Sequence, residues 1–90
     1  MEKSIQSAQY EIFLRAFRIA RQRAGLTQVE LARRVGETQS FISKCERGAR
    51  RIDVVELRTF CDAIGIPLKQ FLEGLEGSLH GRGRRRPPRR

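Results

Sequence analysis

Tryptophan is missing from this 90-residue chain, and tyrosine, methionine and histidine occur once each. No apolar run exceeds four residues, whereas a bilayer-spanning helix needs about 20. The opening Met1-Glu2-Lys3-Ser4 is polar and lacks the apolar stretch of a secretory signal. A cytoplasmic protein with no membrane partner is therefore expected. The two cysteines, Cys45 and Cys61, form no CxxC pair, and His80 stands alone, so no metal site is expected. In apolar helical surroundings both thiols read as small buried hydrophobes. Catalysis needs convergent acids, bases or nucleophiles, and neither a carboxylate pair nor a glycine-rich phosphate loop is present. A non-enzyme without cofactor is expected. The length allows one domain with a modest core. With no second domain to house an effector pocket, no small-molecule ligand is expected either.

Positive charge is what the sequence has in excess. Nineteen Lys and Arg against ten acids give a net charge of +9 and a pI near 11.2. Residues 1–73 hold thirteen bases and nine acids, and residues 74–90 hold six arginines against Glu76. Both parts favour a polyanionic partner. Charge by itself leaves nucleic acid, a membrane surface and plain solubility open.

The pattern of apolar residues is helical throughout, with no alternation long enough for a sheet. From about Ser7 to Ala24, the residues Phe13, Ala16, Phe17, Ala20 and Ala24 make one stripe of an amphipathic helix, which Gly25 ends. Thr27 and Glu30 form a T-x-x-E capping box for a second helix carrying Leu31, Ala32 and Val35, closed by Gly36. Thr38 caps a third, which turns Ile42 and Cys45 inward and stops at Gly48. Two short helices joined so tightly must cross steeply, the arrangement of a helix-turn-helix. Asp53 and Glu56 open a fourth helix with Val54, Leu57, Cys61 and Ile64 on one side, closed by Gly65. Pro67 suits the first turn of a fifth, with Leu68, Phe71, Leu72, Leu75 and Leu79 at helical spacing. The expected domain is residues 7–76. From Gly77 to Arg90, Gly, Pro and Arg dominate, and a disordered basic tail is expected because little apolar surface is available to bury.

These residues resemble the lambda-repressor-like, or XRE and Cro-type, helix-turn-helix DNA-binding family. The likeness runs over about residues 13–73. It is carried by Arg21, Gly25-Leu26-Thr27-Gln28, Glu30-Leu31-Ala32, Val35-Gly36, Gln39-Ser40-Phe41-Ile42-Ser43, Glu46-Arg47-Gly48, and then Leu57, Ala63, Gly65 and Leu68. Cys45 departs from it, standing where a larger apolar residue is usual, and the arginine-rich tail lies outside it. The resemblance implies an all-α fold, a compact five-helix domain whose second and third helices read DNA. The five helices drawn from periodicity and caps agree.

In such a domain the third helix, residues 38–47, enters the major groove, and the side chains near its N-terminus meet base edges. That places Gln39, Ser40, Ser43 and Lys44 at the bases. Gln can pair with adenine at two points, Lys can donate to guanine, and Ser suits several bases. Gln28, at the start of the second helix, is expected at a phosphate, and so are Thr38, Arg47, Arg50 and Arg51. Phe41 is grouped with them, as an aromatic able to touch the sugar edge or a thymine methyl, although packing against the second helix is slightly preferred. The resemblance also implies a structural ion pair of Arg21 with Glu46.

The function expected is a sequence-specific DNA-binding transcriptional regulator, most simply a dimeric repressor on a palindromic operator in double-stranded DNA. Phage-type repressors, restriction–modification controllers and antitoxins all fall within this class. A protein-interaction module using the same fold is the alternative from another class; an acidic or apolar third helix would favour it. One domain touches few base pairs, so a homodimer is expected, with Leu68 and Leu72 packed internally and Phe71, Leu75 and Leu79 across the two-fold axis.

Overall fold

The computed structural model describes the backbone of residues 4–83 and the side chains of residues 8–80. Among these, five helices and no strand occur: α1 Ser4–Arg23, α2 Gln28–Val35, α3 Gln39–Arg47, α4 Val54–Ile64 and α5 Leu68–Gly83. Each of the three middle helices begins on the side chain anticipated for it. Thr27 Oγ1 accepts from Glu30 N (3.0 Å) while Thr27 N donates to Glu30 Oε1 (2.9 Å). Asp53 and Glu56 repeat that reciprocal pair at α4, and Thr38 Oγ1 accepts from Phe41 N at 3.0 Å. These bonds satisfy backbone donors that a helix start leaves without partners.

α2 packs on α3 and α4, α1 on α3 and α5, and α4 on α5. Phe17, Leu31, Ile42, Cys45 and Cys61 are sealed at the centre, surrounded by Leu57, Phe60 and Phe71. Phe17 and Phe60 lie 5.2 Å apart between ring centroids. Gly48, which ends α3, has φ +82 and stands where an added Cβ would come within 3.1 Å of Leu14 Cδ1. A side chain there meets both backbone strain and a crowded neighbour.

Four expectations are corrected. α1 starts at Ser4, earlier than Ser7, and Ala24 lies beyond its end and is exposed. Val54 is 61% exposed, because the first turn of α4 projects past the core, and Phe60 takes the inward position. α5 runs on through Gly77 to Gly83, so the boundary placed at Gly77 falls inside a helix. The half-buried Leu75 and Leu79 support that extension, and His80 Nδ1 lies 3.1 Å from Glu76 O. The arginine-rich residues 84–90 are outside the described part of the chain.

The fourth correction concerns which edge of α5 faces inward. Phe71 is buried and meets Phe13 of α1 edge-on at 6.1 Å, whereas Leu72 is 40% exposed. Consecutive helical residues point about 100° apart, so the five-residue stripe has two edges, and α1 covers the Phe71 edge. Phe71 is thus a core residue and is not available to a partner.

Candidate nucleic-acid interface

α2 and α3 are joined by Gly36, Glu37 and Thr38, with Gly36 at φ +76 closing α2. The turn turns Ile42, Cys45 and Glu46 of α3 inward and leaves Gln39, Ser40, Lys44 and Arg47 exposed, with Ser43 partly so. The four residues expected at base edges therefore lie on one accessible surface of a short helix.

The support behind that surface is polar and continuous. Arg21 of α1 is buried and grips Glu46 of α3 at two points, Nε to Oε2 at 2.6 Å and Nη2 to Oε1 at 3.0 Å. Its remaining Nη1 donates to Leu26 O at 2.8 Å. Glu46 Oε1 also accepts from Gln28 Nε2 (2.9 Å), and Gln28 Oε1 accepts from Gln39 Nε2 (2.7 Å). The first residue of α3 is thereby linked through α2 to a buried ion pair. Among the described residues, this chain leaves Gln39 one amide N–H and its carbonyl, the donor–acceptor couple that an adenine edge takes. Gln28, expected at a phosphate, has its carbonyl and one N–H engaged inside the protein and keeps one N–H.

The basic residues after α3 are arranged unequally. Arg47 is exposed. Arg51 lies over the Tyr10 ring, 4.4 Å from its centroid, and the Tyr10 hydroxyl accepts from Ile52 N at 3.0 Å. Arg50 is committed within the protein: Nη2 meets Glu56 Oε2 at 2.7 Å and Nη1 meets Oε1 at 3.0 Å. The hydrogen bond from Arg50 and the Asp53 backbone N–H hold the Glu56 carboxyl below its usual range. Phe41 sits between solvent and core, with its ring 6.4 Å from Phe60 and the Arg50 guanidinium 4.8 Å above it. Thr38 Oγ1 accepts from Phe41 N in capping α3, which leaves its O–H able to donate.

Several contacts were not anticipated: the Gln28–Gln39 bridge, Arg50–Glu56, Arg51 on Tyr10, and Arg34 Nη1 donating to Ala63 O at 2.8 Å. Arg50–Glu56 had a partial signal, because Glu56 was already marked as the capping-box carboxylate six residues after an arginine. Burial pushes both the Cys45 and Cys61 thiols up, as for inert core cysteines. Among the described residues, no group of three or more His, Cys, Asp or Glu is placed to hold a metal ion.

A family model described as a helix-turn-helix domain matches residues 12–71. An XRE-family like protein from Pseudomonas syringae pv. tomato str. DC3000 is 45% identical, over 81% of this chain and 89% of that one, with a TM-score of 0.76. The chain belongs to the XRE-type helix-turn-helix family. A second solved structure, the clp gene regulator ClgR from C. glutamicum, is 28% identical over 80% of this chain and 94% of its own, with a TM-score of 0.70. Among curated proteins none matches. Membership makes this XRE-type protein a DNA-binding transcription regulator. Among the described residues no helix is long and apolar enough to cross a membrane.

Proposed function

We propose that this XRE-type protein is a sequence-specific repressor, acting in the cytoplasm, that binds a palindromic operator as a homodimer. The observation that carries the reading is the hydrogen-bonded chain from Gln39 through Gln28 to the buried Arg21–Glu46 pair. A side chain held from behind loses less freedom on meeting a base, so its contact discriminates more sharply. Gln39 then pairs with adenine, Lys44 donates to a guanine, and Ser40 and Ser43 sit beside them. Arg47, Arg51, Thr38 and the remaining Gln28 N–H meet the phosphate backbone and set the register. Occupying a promoter in this way blocks it without any catalytic step.

Pairing two copies places two α3 helices on half-sites about 34 Å apart. The seam that supports this lies along α5: Leu72 exposed, Leu75 and Leu79 half-buried. Beside it runs a groove of about 850 Å³ between α1 and α5, with Ile19, Ile66 and Leu75 along it and Arg23, Gln70 and Glu73 also in its lining. An apolar surface of this kind on a small domain is the usual mark of a self-complementary contact.

The test is selection of bound sequences from random duplex DNA, followed by titration of the best duplex. Gln39→Ala and Lys44→Ala should each cost about 1–3 kcal/mol on that duplex and relax preference at particular base pairs. Equal losses on selected and random DNA would remove base reading from these residues.

A further inference from the structure

The arginine that follows the recognition helix is occupied by the protein itself. Three of the five guanidinium N–H groups of Arg50 are used, two on the Glu56 carboxylate and one on Arg51 O. The guanidinium carbon lies over the ring of Phe41, in the first turn of α3. The backbone N–H of Arg50 donates to Lys44 O at 3.3 Å, beside Ala49 N to the same oxygen at 2.9 Å. One residue therefore touches both turns of α3 and the first turn of α4. Glu56 is held in turn, since its Oε1 also accepts from Asp53 N at 3.0 Å. Arg51 and Arg47 have no carboxylate partner among the described residues.

We infer that Arg50 is a positioning residue: paired with Glu56 and stacked on Phe41, it fixes the tilt of α3 against α4 and so the register in which Gln39, Ser43 and Lys44 meet the bases. Its charge is neutralised by Glu56 and adds little to phosphate binding. The inference rests on the base reading proposed above. It is the opposite of the role that a basic residue beside a recognition helix suggests, and the two roles differ in sign. Were Arg50 a phosphate contact, removing the Glu56 charge would free it and tighten binding to every sequence. For a positioning residue, the same change loosens α3 and loses the preferred sequence despite the more favourable charge.

The experiment compares full-length wild type, Glu56→Gln and Arg50→Lys on the duplex selected by the wild type and on a random duplex, far below each melting temperature. Gln at 56 can still accept from Asp53 N, so the α4 cap survives. Lys at 50 keeps the charge but loses the two-point grip and the stacking. Both variants should lower the selected-to-random affinity ratio about tenfold, the scale of one misplaced base contact. Random-duplex binding should hold steady in Arg50→Lys and hold or tighten in Glu56→Gln, and the double variant should be no worse than either single one. A retained ratio in either folded variant overturns the inference. If Glu56→Gln fails to fold, Arg50→Lys decides alone, because it leaves the cap intact. A wild type that selects no sequence overturns base reading and this inference together, whereas a selective wild type with indifferent variants overturns only the inference.

Discussion

The two ends of this small bundle are held by different forces. At the α2–α3 end, ordered polar contacts dominate: a buried two-point ion pair, two bridging amides, the capping box of α2 and the Thr38 cap of α3, each with a set direction and length. At the α1–α5 end, contact is apolar, with Phe71 on Phe13, half-buried leucines and a helix that carries Gly74 and Gly77 among its glycines. Directional bonds hold one geometry and break sharply when a partner is lost. Apolar packing tolerates adjustment and leaves surface to share with another chain. On the function proposed above, the stiff end is the one that reads bases, and the adaptable end the one that meets a second copy.

The largest effect should come from breaking the stiff end at its root. Glu46→Ala leaves Arg21 buried without its partner and frees Gln28, and should cost about 3–5 kcal/mol in denaturant unfolding. A loss under about 1 kcal/mol would mean that the polar end is no more demanding than the apolar one.

A glycine comparison sharpens the contrast with one chemical change made at each end. Gly48→Ala forces φ +82 on a residue with a Cβ and crowds Leu14 at 3.1 Å, and should destabilise by about 1–2 kcal/mol. Gly74→Ala meets nothing within 4 Å in a helical position, and should stabilise by about 0.5–1 kcal/mol. Thermal unfolding of the two variants should move in opposite directions; movement in the same direction would erase the distinction.

The smallest effect on folding is expected at the α5 surface. Leu72→Glu changes a residue already 40% exposed and should alter monomer stability by no more than about 0.5 kcal/mol. Sedimentation should nevertheless show the dimer shifted to monomer. A wild type that stays monomeric even on a palindromic duplex removes the sharing role from this end.

Local features were legible in the sequence and distant ones were not. Thr27, Thr38 and Asp53 announce their helices because a cap needs only the next three residues, and Gly36, Gly48 and Gly65 end them for similarly local reasons. The inward face of α5 depends on Phe13, far away on α1, so periodicity alone favoured Leu72 over Phe71. The fourth helix misled in the same way at Val54. Among the polar contacts, the Arg21–Glu46 pair was named from the family resemblance. The Gln28–Gln39 bridge and the Arg50–Glu56 pair depend on the exact path of a turn, and a path is not written in residue types. Charge suggests Arg50 for a phosphate contact, and only the position of the Glu56 carboxylate reveals its partner within the protein.

The two sealed thiols give this protein a built-in clock. Cys45 and Cys61 are 0% and 1% exposed and unlinked to each other, so a thiol reagent reaches either one only when the helices part. The pace of labelling thus counts openings of the bundle, Cys45 from within α3 and Cys61 from α4. DNA that binds only the closed form slows that pace in proportion to its occupancy, so the chain can report its own engagement without an added probe.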